Sequence, residues 1–139
     1  MSTPVVSVEP PAPQIDPDSA GYWRGLAEHE VRLPRCSQCG KVRFPPLDAC
    51  PYCGEPGGEE TVLSGVGTVY SFIVLHRTFH PAFEADLPFA IAVVDLEEGP
   101  RVAARIEAPP ESVSIGMRVG ARYVDHESWT ELRFAPQDS

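Results

Sequence analysis

The second half of the chain alternates between short apolar stretches and turn-forming residues. Each stretch is rich in valine, isoleucine, phenylalanine, tyrosine or threonine, which favours strands, and glycine or proline lies between the stretches. The turn at residues 97–100 joins two of them into a hairpin. Five short strands in about 70 residues predict a small closed barrel, because closure leaves no unpaired strand edge. The predicted strands cover residues 67–77, 89–96, 101–107, 117–125 and 131–135.

An amphipathic helix is predicted over residues 18–30, where large apolar side chains recur every three to four residues. These side chains are Tyr22, Trp23 and Leu26. Asp18 or Ser19 is expected to cap the helix by accepting a hydrogen bond from a free backbone N–H. Gly21 and Gly25 each destabilise the helix by about 1 kcal/mol relative to alanine, so it needs a surface to pack on. That surface is either the body of the chain or a partner protein.

Residues 1–17 form a proline-rich arm that holds five of the 16 prolines. Proline removes backbone donors and favours extended conformations, so we predict a disordered arm, either an inert tail or a strap across a partner. The arm lacks the basic stretch and the apolar stretch that a secretory signal needs. We therefore expect a cytoplasmic protein.

Composition narrows the class of protein. The chain has 139 residues, 42% of them hydrophobic, which is enough for a core. Its apolar runs are far shorter than the roughly 18 residues that cross a bilayer. Twenty acidic residues against 11 basic ones give a formal charge of −9, and nucleic-acid affinity comes mainly from Lys and Arg. We therefore expect neither a membrane nor a nucleic acid as a partner.

All four cysteines lie in one short segment, as two C-x-x-C pairs separated by ten residues, and a glycine follows each pair. Two such turns can place four thiolates around one ion, and glycine accepts the positive φ that directs backbone N–H groups at the sulfurs. We predict a structural zinc ion, because four thiolates leave no open position, and its ligands are Cys36, Cys39, Cys50 and Cys53. Iron accepts the same four sulfurs. Disulfides would need an oxidising compartment, and a redox pair would need a βαβ unit.

The pattern around the cysteines predicts the domain organisation. Short alternating stretches at residues 31–33 and 41–44 indicate strands within a zinc ribbon of residues 31–60. The barrel follows over residues 61–136, with a tail at 137–139. The predicted fold class is mainly β, with an N-terminal helix, a ribbon and a five-stranded barrel.

Several motifs together resemble the DUF35 family. They are a tryptophan-containing helix, R-C-S-Q-C-G-K-V-R-F-P-P at 35–46, C-P-Y-C-G at 50–54, S-G-V-G-T-V-Y-S-F at 64–72, His76-Arg77, P-F-A-I-A-V-V-D-L-E-E-G at 88–99 and I-G-M-R-V at 115–119. The resemblance covers residues 18–136. It implies a rubredoxin-like zinc ribbon and an OB-fold barrel in a small accessory subunit of a thiolase-superfamily enzyme. Such complexes act on acyl-CoA thioesters as thiolases, as retro-aldolases of steroid side-chain degradation, or as acyltransferases.

The chain shows no convincing catalytic site of its own. His76 and His80 are four residues apart, but a strand pattern ends at His76 and Pro81 follows His80, so they do not share a helix face. The acid pairs at residues 59–60 and 97–98 stand in turn-like contexts and are expected to be solvated. Two isolated histidines, also expected to be solvated, are His29 and His126.

Residues with suitable chemistry are candidate contacts for CoA, because guanidinium groups match phosphates and an aromatic ring can cover adenine or an acyl chain. The candidates are Arg77, Arg101, Arg105 and Phe79. The alternative is that these arginines balance surface acids. Candidate anchors for the partner enzyme are Tyr22, Trp23, Phe44 and Leu47.

A second class of function stays open at this point. OB folds and zinc ribbons also occur in nucleic-acid-binding modules, so architecture alone does not choose between the two. The ribbon carries a local basic patch, and its members are Arg32, Arg35, Lys41 and Arg43. The acidic balance of the chain favours the accessory subunit.

Overall fold

The structure, a computed structural model, describes residues 10–78 and 80–137. Within these residues the chain forms one α-helix, seven strands and two short 3-10 turns, which confirms the mainly β fold class. The helix is α1 (Ala20–Ala27), and the strands are β1 (Val31–Arg35), β2 (Glu59–Leu63), β3 (Val66–Leu75), β4 (Phe89–Leu96), β5 (Arg101–Ile106), β6 (Arg118–Asp125) and β7 (Thr130–Pro136).

Strands β3 to β7 close into a barrel in the order β3-β4-β5-β7-β6, which confirms the predicted five-stranded barrel. Neighbours pair antiparallel, except that β5 and β7 run parallel. Inward residues are aliphatic or aromatic, so the barrel interior forms the main core. Fully buried members of this core are Val69, Val94, Val102, Ile106, Val119 and Phe134.

The ribbon is built on a small sheet in which β1 pairs antiparallel with β2, and the cysteine segment lies between the two strands. Isolated bridges join Arg35 to Val42 and Ala49 to Pro56. The stretch 41–44 therefore contributes one bridge rather than the short strand that its alternation predicts.

Strand β2 returns the chain from the ribbon towards the barrel. Glu59 and Glu60 belong to this strand, where they pair with Arg35 and Pro34 of β1. Their expected placement in a turn is wrong, because the chain rejoins the sheet directly after the second cysteine pair. The strand ends at Leu63, just before β3 begins.

Helix α1 is shorter than the predicted range 18–30, and Ser19 occupies its N-cap position. No side-chain cap forms there. Instead the Ser19 hydroxyl accepts a hydrogen bond from the Asp16 N–H, and the Asp16 carboxylate accepts one from the Ser19 N–H. The expected side-chain cap is therefore wrong, since this local turn takes the groups that would have made it.

Two glycines allow α1 to approach the ribbon sheet closely. A Cβ atom at Gly21 would overlap the Glu60 carboxylate, and one at Gly25 would lie 2.8 Å from Arg32 Cγ. Leu26, on the same helix, is fully buried. The glycines that weaken the isolated helix are thus the ones that let it pack on the body of the chain.

The helix also contacts the barrel at the β6–β7 hairpin. The Trp23 ring meets Trp129 edge-on, with ring centroids 6.1 Å apart. Just beyond the helix, the His29 ring stacks on Tyr123 with centroids 5.0 Å apart. No helix in the described part of the chain has the length and apolar character needed to cross a bilayer.

Candidate metal centre and binding surfaces

Each cysteine pair lies in a tight turn whose backbone points at the metal site. The Gln38 and Cys39 N–H groups donate to Cys36 Sγ, both at 3.4 Å. The turns close with Gly40 and Gly54, which have φ of 76° and 83°, as the glycine after each pair predicts.

The four cysteine sulfurs converge on one point. All four Sγ atoms lie within 4.8 Å of one another, with 3.5 Å between Cys36 and Cys53 and 3.6 Å between Cys39 and Cys50. Zn–S bonds of about 2.3 Å give a tetrahedron with S···S edges of about 3.8 Å, so the sulfurs fit a zinc ion. These distances are far longer than the roughly 2.05 Å of a disulfide. The geometry fits a structural metal, and the same S₄ cage also accepts iron.

The thiols favour a bound cation. Hydrogen bonds from the backbone of Cys39 and Gln38 lower the pKa of Cys36 to about 6. At Cys53, the Glu55 N–H favours the thiolate, but the neighbouring cysteines and burial outweigh it and raise the pKa to about 12. At neutral pH Cys36 is therefore largely a thiolate, whereas Cys53 holds a proton that a divalent cation would displace on binding.

The structure places two of the candidate CoA contacts on one outward side of β5, and each is already paired. Arg101 donates to Asp95 at 2.6 Å and lies 3.7 Å above the Tyr70 ring. Arg105 donates to Asp86 at 3.1 Å and lies 4.1 Å above the Phe89 ring. These contacts hold both guanidinium groups in fixed positions.

The other two candidate CoA contacts lie near the loop after β3. Arg77 is exposed, two residues beyond the end of the strand, which stops at Leu75 and not at the predicted residue 77. Phe79 lies outside the described residues.

An open groove of about 430 Å³ lies beside Arg105. Its walls are mostly apolar, and they include Leu75, Phe83, Phe89, Ile91 and Leu132. A groove of this size is in the range of small-molecule sites. Sequence reasoning did not find it, because its walls come from four strands and the 3-10 turn Pro81–Asp86.

The outer face of β3, β4 and β5 is apolar although it faces solvent. Ile73 pairs with Ile91, and Val93 pairs with Ala103, so these four side chains share the outward side. Ile73 is 59% exposed. The sequence carries a signal for this face: β4 is apolar at both alternating positions, which is typical of a strand covered on both sides.

The four candidate partner anchors differ in exposure. Tyr22 is buried, and its ring lies 5.7 Å from Phe44, which is half-buried. Trp23 is half-buried against Trp129. Leu47 is 44% exposed, which makes it the most exposed of the four.

The two histidines expected to be solvated both have carboxylate partners. His29 is exposed as expected, but His126 is largely buried, so the expectation is wrong for His126. His126 Nε2 lies 2.8 Å from Glu131, and His29 Nε2 lies 3.0 Å from Asp125. Partial burial opposes ionisation of Glu131, but hydrogen bonds from Arg133 and His126 hold its pKa below the usual value. Hydrogen bonds from Thr130 and His29 likewise lower the pKa of Asp125.

The fold and the cysteine site define a protein that joins a rubredoxin-like ribbon to an OB-fold barrel. Residues 23–57 match the family described as "ChsH2, rubredoxin-like zinc ribbon domain", and residues 60–124 match "ChsH2, C-terminal OB-fold domain". The chain belongs to the DUF35 family, which confirms the resemblance seen in its motifs.

Two relatives are similar in length to this chain. A DUF35 domain-containing scaffold protein of Methanocaldococcus jannaschii is 41% identical over 102 residues, which cover 71% of this chain and 72% of that protein. The benzoylsuccinyl-CoA thiolase subunit BbsA of Thauera aromatica is 35% identical over 107 residues, 72% of each chain. A solved structure described as "Ltp2-ChsH2(DUF35) aldolase" matches with a TM-score of 0.81 at 33% identity, covering 90% of this chain and 98% of that chain.

Other relatives are longer. The 3-oxo-4,17-pregnadiene-20-carboxyl-CoA hydratase alpha subunit of Mycobacterium tuberculosis is 37% identical over 127 residues, which are 91% of this chain. The match spans 40% of that protein, and a match to a probable enoyl-CoA hydratase alpha subunit of Thermomonospora curvata spans 34% of the relative. The similarity to these hydratase subunits therefore concerns less than half of their length.

Proposed function

We propose that this chain is a non-catalytic accessory subunit of a thiolase-superfamily enzyme complex that acts on acyl-CoA thioesters. It stabilises the enzyme subunit and helps to bind the CoA substrate, in a thiolase, a retro-aldolase or an acyltransferase. The names of its relatives support this role, because they include a scaffold protein and a subunit of a CoA-thioester thiolase.

The apolar outer face of the barrel is the observation that carries the proposal. A solvated face formed by Ile73, Ile91, Val93 and Ala103 leaves apolar area in water, and covering it gains about 25 cal/mol per Å². The charges beside this face are already neutralised, since Arg101 and Arg105 have carboxylate partners. A partner can therefore cover the face without desolvating an unpaired charge.

The chemistry of the chain fits an accessory role. The metal site is closed by four thiolates, so it leaves no position for water or substrate. His29 and His126 form hydrogen bonds with Asp125 and Glu131, so these groups already have partners within the chain. The catalytic groups of the complex then belong to the enzyme subunit.

The groove beside Arg105 is our candidate for the CoA contact. It combines apolar walls, suited to a pantetheine or acyl chain, with the guanidinium group of Arg105 on β5. Arg101, further along β5, and Arg77, in the loop after β3, are candidate contacts outside the groove lining. Phe79, between Arg77 and the groove-lining Phe83 in sequence, completes the candidate set.

Nucleic-acid binding has less support. Six arginines of the described residues pair with carboxylates, so the basic groups that a long phosphate backbone would contact are interspersed with acids. Within the basic patch of the ribbon, Arg43 is buried and Lys41 lies over the Tyr52 ring. A gel shift that weakens steeply with added salt would favour the nucleic-acid function instead.

Co-expression tests the proposal directly. The chain is produced together with a candidate thiolase-like enzyme subunit, and a tag on one of the two is used for purification. We expect the two chains to co-purify as a hetero-oligomer, and we expect the enzyme to lose activity or solubility without this chain. A chain that elutes alone, together with unchanged activity of the enzyme, would contradict the proposal.

A further inference from the structure

Arg43 is a charged residue that is almost fully buried in the small zinc ribbon. Only 2% of the residue is exposed. Its guanidinium group bonds to backbone carbonyls, and no carboxylate of residues 10–78 or 80–137 forms an ion pair with it. A buried charge without a counter-charge is costly, so something in its surroundings has to compensate it.

The hydrogen bonds of Arg43 connect the two cysteine turns. Its Nε donates to Leu47 O at 2.9 Å, and its Nη2 donates to Gly57 O at 2.5 Å. Leu47 precedes Cys50 by three residues, and Gly57 follows Cys53 by four. One side chain therefore holds both ends of the second cysteine turn.

The backbone of Arg43 is attached to the first cysteine turn. Its N–H donates to Pro34 O at 3.1 Å, and Pro34 lies two residues before Cys36 in β1. The two pairs of metal ligands are thus joined through Arg43 by contacts that involve no sulfur.

The third guanidinium nitrogen of Arg43, Nη1, is the part of the group that has no hydrogen-bond partner in the described part of the chain to compensate its burial. Nη1 is buried and makes no hydrogen bond within the described residues. A Cβ atom at Gly58 would lie 3.3 Å from Nη1 and 2.8 Å from Arg35 O, so the chain closes tightly over the group. Four thiolates around a divalent ion carry a net charge of −2, and the segments that Arg43 bonds flank these thiolates, so the metal site can supply the compensating charge.

We infer that Arg43 is a positioning residue of the metal centre, which aligns the two cysteine turns and compensates the negative charge of the tetrathiolate site. This inference rests on the cysteine geometry and not on the proposed function, so the two can fail separately. Residues that orient metal ligands from outside the coordination sphere typically change metal affinity about 10- to 100-fold when they are replaced.

Metal retention in the purified full chain tests the inference. Zinc release to a chromogenic chelator is followed for the wild type, Arg43→Met, Arg43→Lys and Arg43→Gln, with Lys41→Met as the control that removes an exposed charge from the same ribbon. We expect release from Arg43→Met to be about 10- to 100-fold faster than from the wild type. The zinc release rate of Arg43→Lys should lie between those of the wild type and Arg43→Gln, because lysine keeps the positive charge but loses the planar guanidinium group and its several donors. Lys41→Met should release zinc at nearly the wild-type rate, because water screens an exposed charge.

A second readout separates positioning from folding. Cobalt replaces zinc, and the thiolate-to-cobalt absorption bands report ligand geometry in the folded fraction. We expect these bands to shift in the Arg43 variants and not in Lys41→Met. Wild-type release rates with unshifted bands would overturn the inference. If Arg43→Met does not fold, Arg43→Gln and Arg43→Lys decide: equal release rates for these two would overturn the charge role.

Discussion

Replacing Ile73 by aspartate should weaken the proposed complex while leaving the stability of the free protein nearly unchanged. Ile73 is 59% exposed on β3, opposite Ile91, so the substitution costs the free barrel little, at most about 1 kcal/mol of strand preference. In the proposed complex the same side chain is covered by the enzyme subunit. The variant should therefore fold normally and bind poorly.

The expected loss of affinity follows from the exposed fraction of Ile73. Full burial of an isoleucine side chain contributes about 1.5–3 kcal/mol, and 59% of it corresponds to about 1–2 kcal/mol. An unpaired polar group pressed against an apolar surface costs about 1–3 kcal/mol more. Together these terms give about 2–5 kcal/mol, which is about 30-fold to several thousand-fold in Kd.

Titration calorimetry with the purified enzyme subunit measures this loss, and thermal unfolding measures the stability of the free chain. Val62→Asp is the matched control, because Val62 is 60% exposed but lies on β2 of the ribbon sheet. It should bind like the wild type. An Ile73→Asp variant with wild-type affinity would refute the docking role of the barrel face, and equal losses in both variants would point to a general effect of added charge.

Three further predictions concern the metal, the acid limit and the CoA contact. Chelation of the metal should raise amide hydrogen exchange in the ribbon, residues 31–60, well above that of the barrel; equal exchange throughout would contradict a structural metal there. The folded-state pKa of Glu131 is lowered, so ionised Glu131 stabilises the fold above its unfolded-state pKa of about 4.5. This stabilisation is lost as the pH falls through the folded-state pKa. Between pH 6 and pH 3 the melting temperature should therefore fall less steeply for Glu131→Gln than for the wild type. In the assembled complex, Arg77→Ala and Arg105→Ala should weaken binding of the CoA ester, and unchanged affinity in a direct binding assay would remove both residues from the candidate site.

The barrel could be predicted because the apolar and polar positions within each strand indicate which residues face the core. The predicted range 89–96 coincides with β4, and the other four strands end within two residues of their predicted limits. Alternation between core-facing and solvent-facing residues is a local property of the sequence, so it can be recognised without knowing which strands pair. The cysteine spacing is equally local, since two short turns suffice to place four sulfurs.

The parts that sequence did not reveal depend on contacts between distant residues. The hydrogen bond between His29 and Asp125 joins residues 96 positions apart, and the sequence near either residue does not predict it. Arg43 belongs to a basic patch in sequence and looks like a surface charge. Only the return of the chain at Gly57 buries it.

The candidate partner anchors show how burial and exposure can be confused in a chain for which we propose a partner. Tyr22 and Trp23 are candidate anchors, and the surface that a short helix with two glycines needs is expected to be either the body of the chain or a partner protein. The structure supplies that surface from the ribbon and the β6–β7 hairpin, so the helix uses much of its apolar side within the chain. An apolar face left without cover lies on the barrel, and it includes a strand whose sequence is mostly apolar on both sides. A strand of that kind in a barrel with one solvent side is best explained by a second protein that covers it.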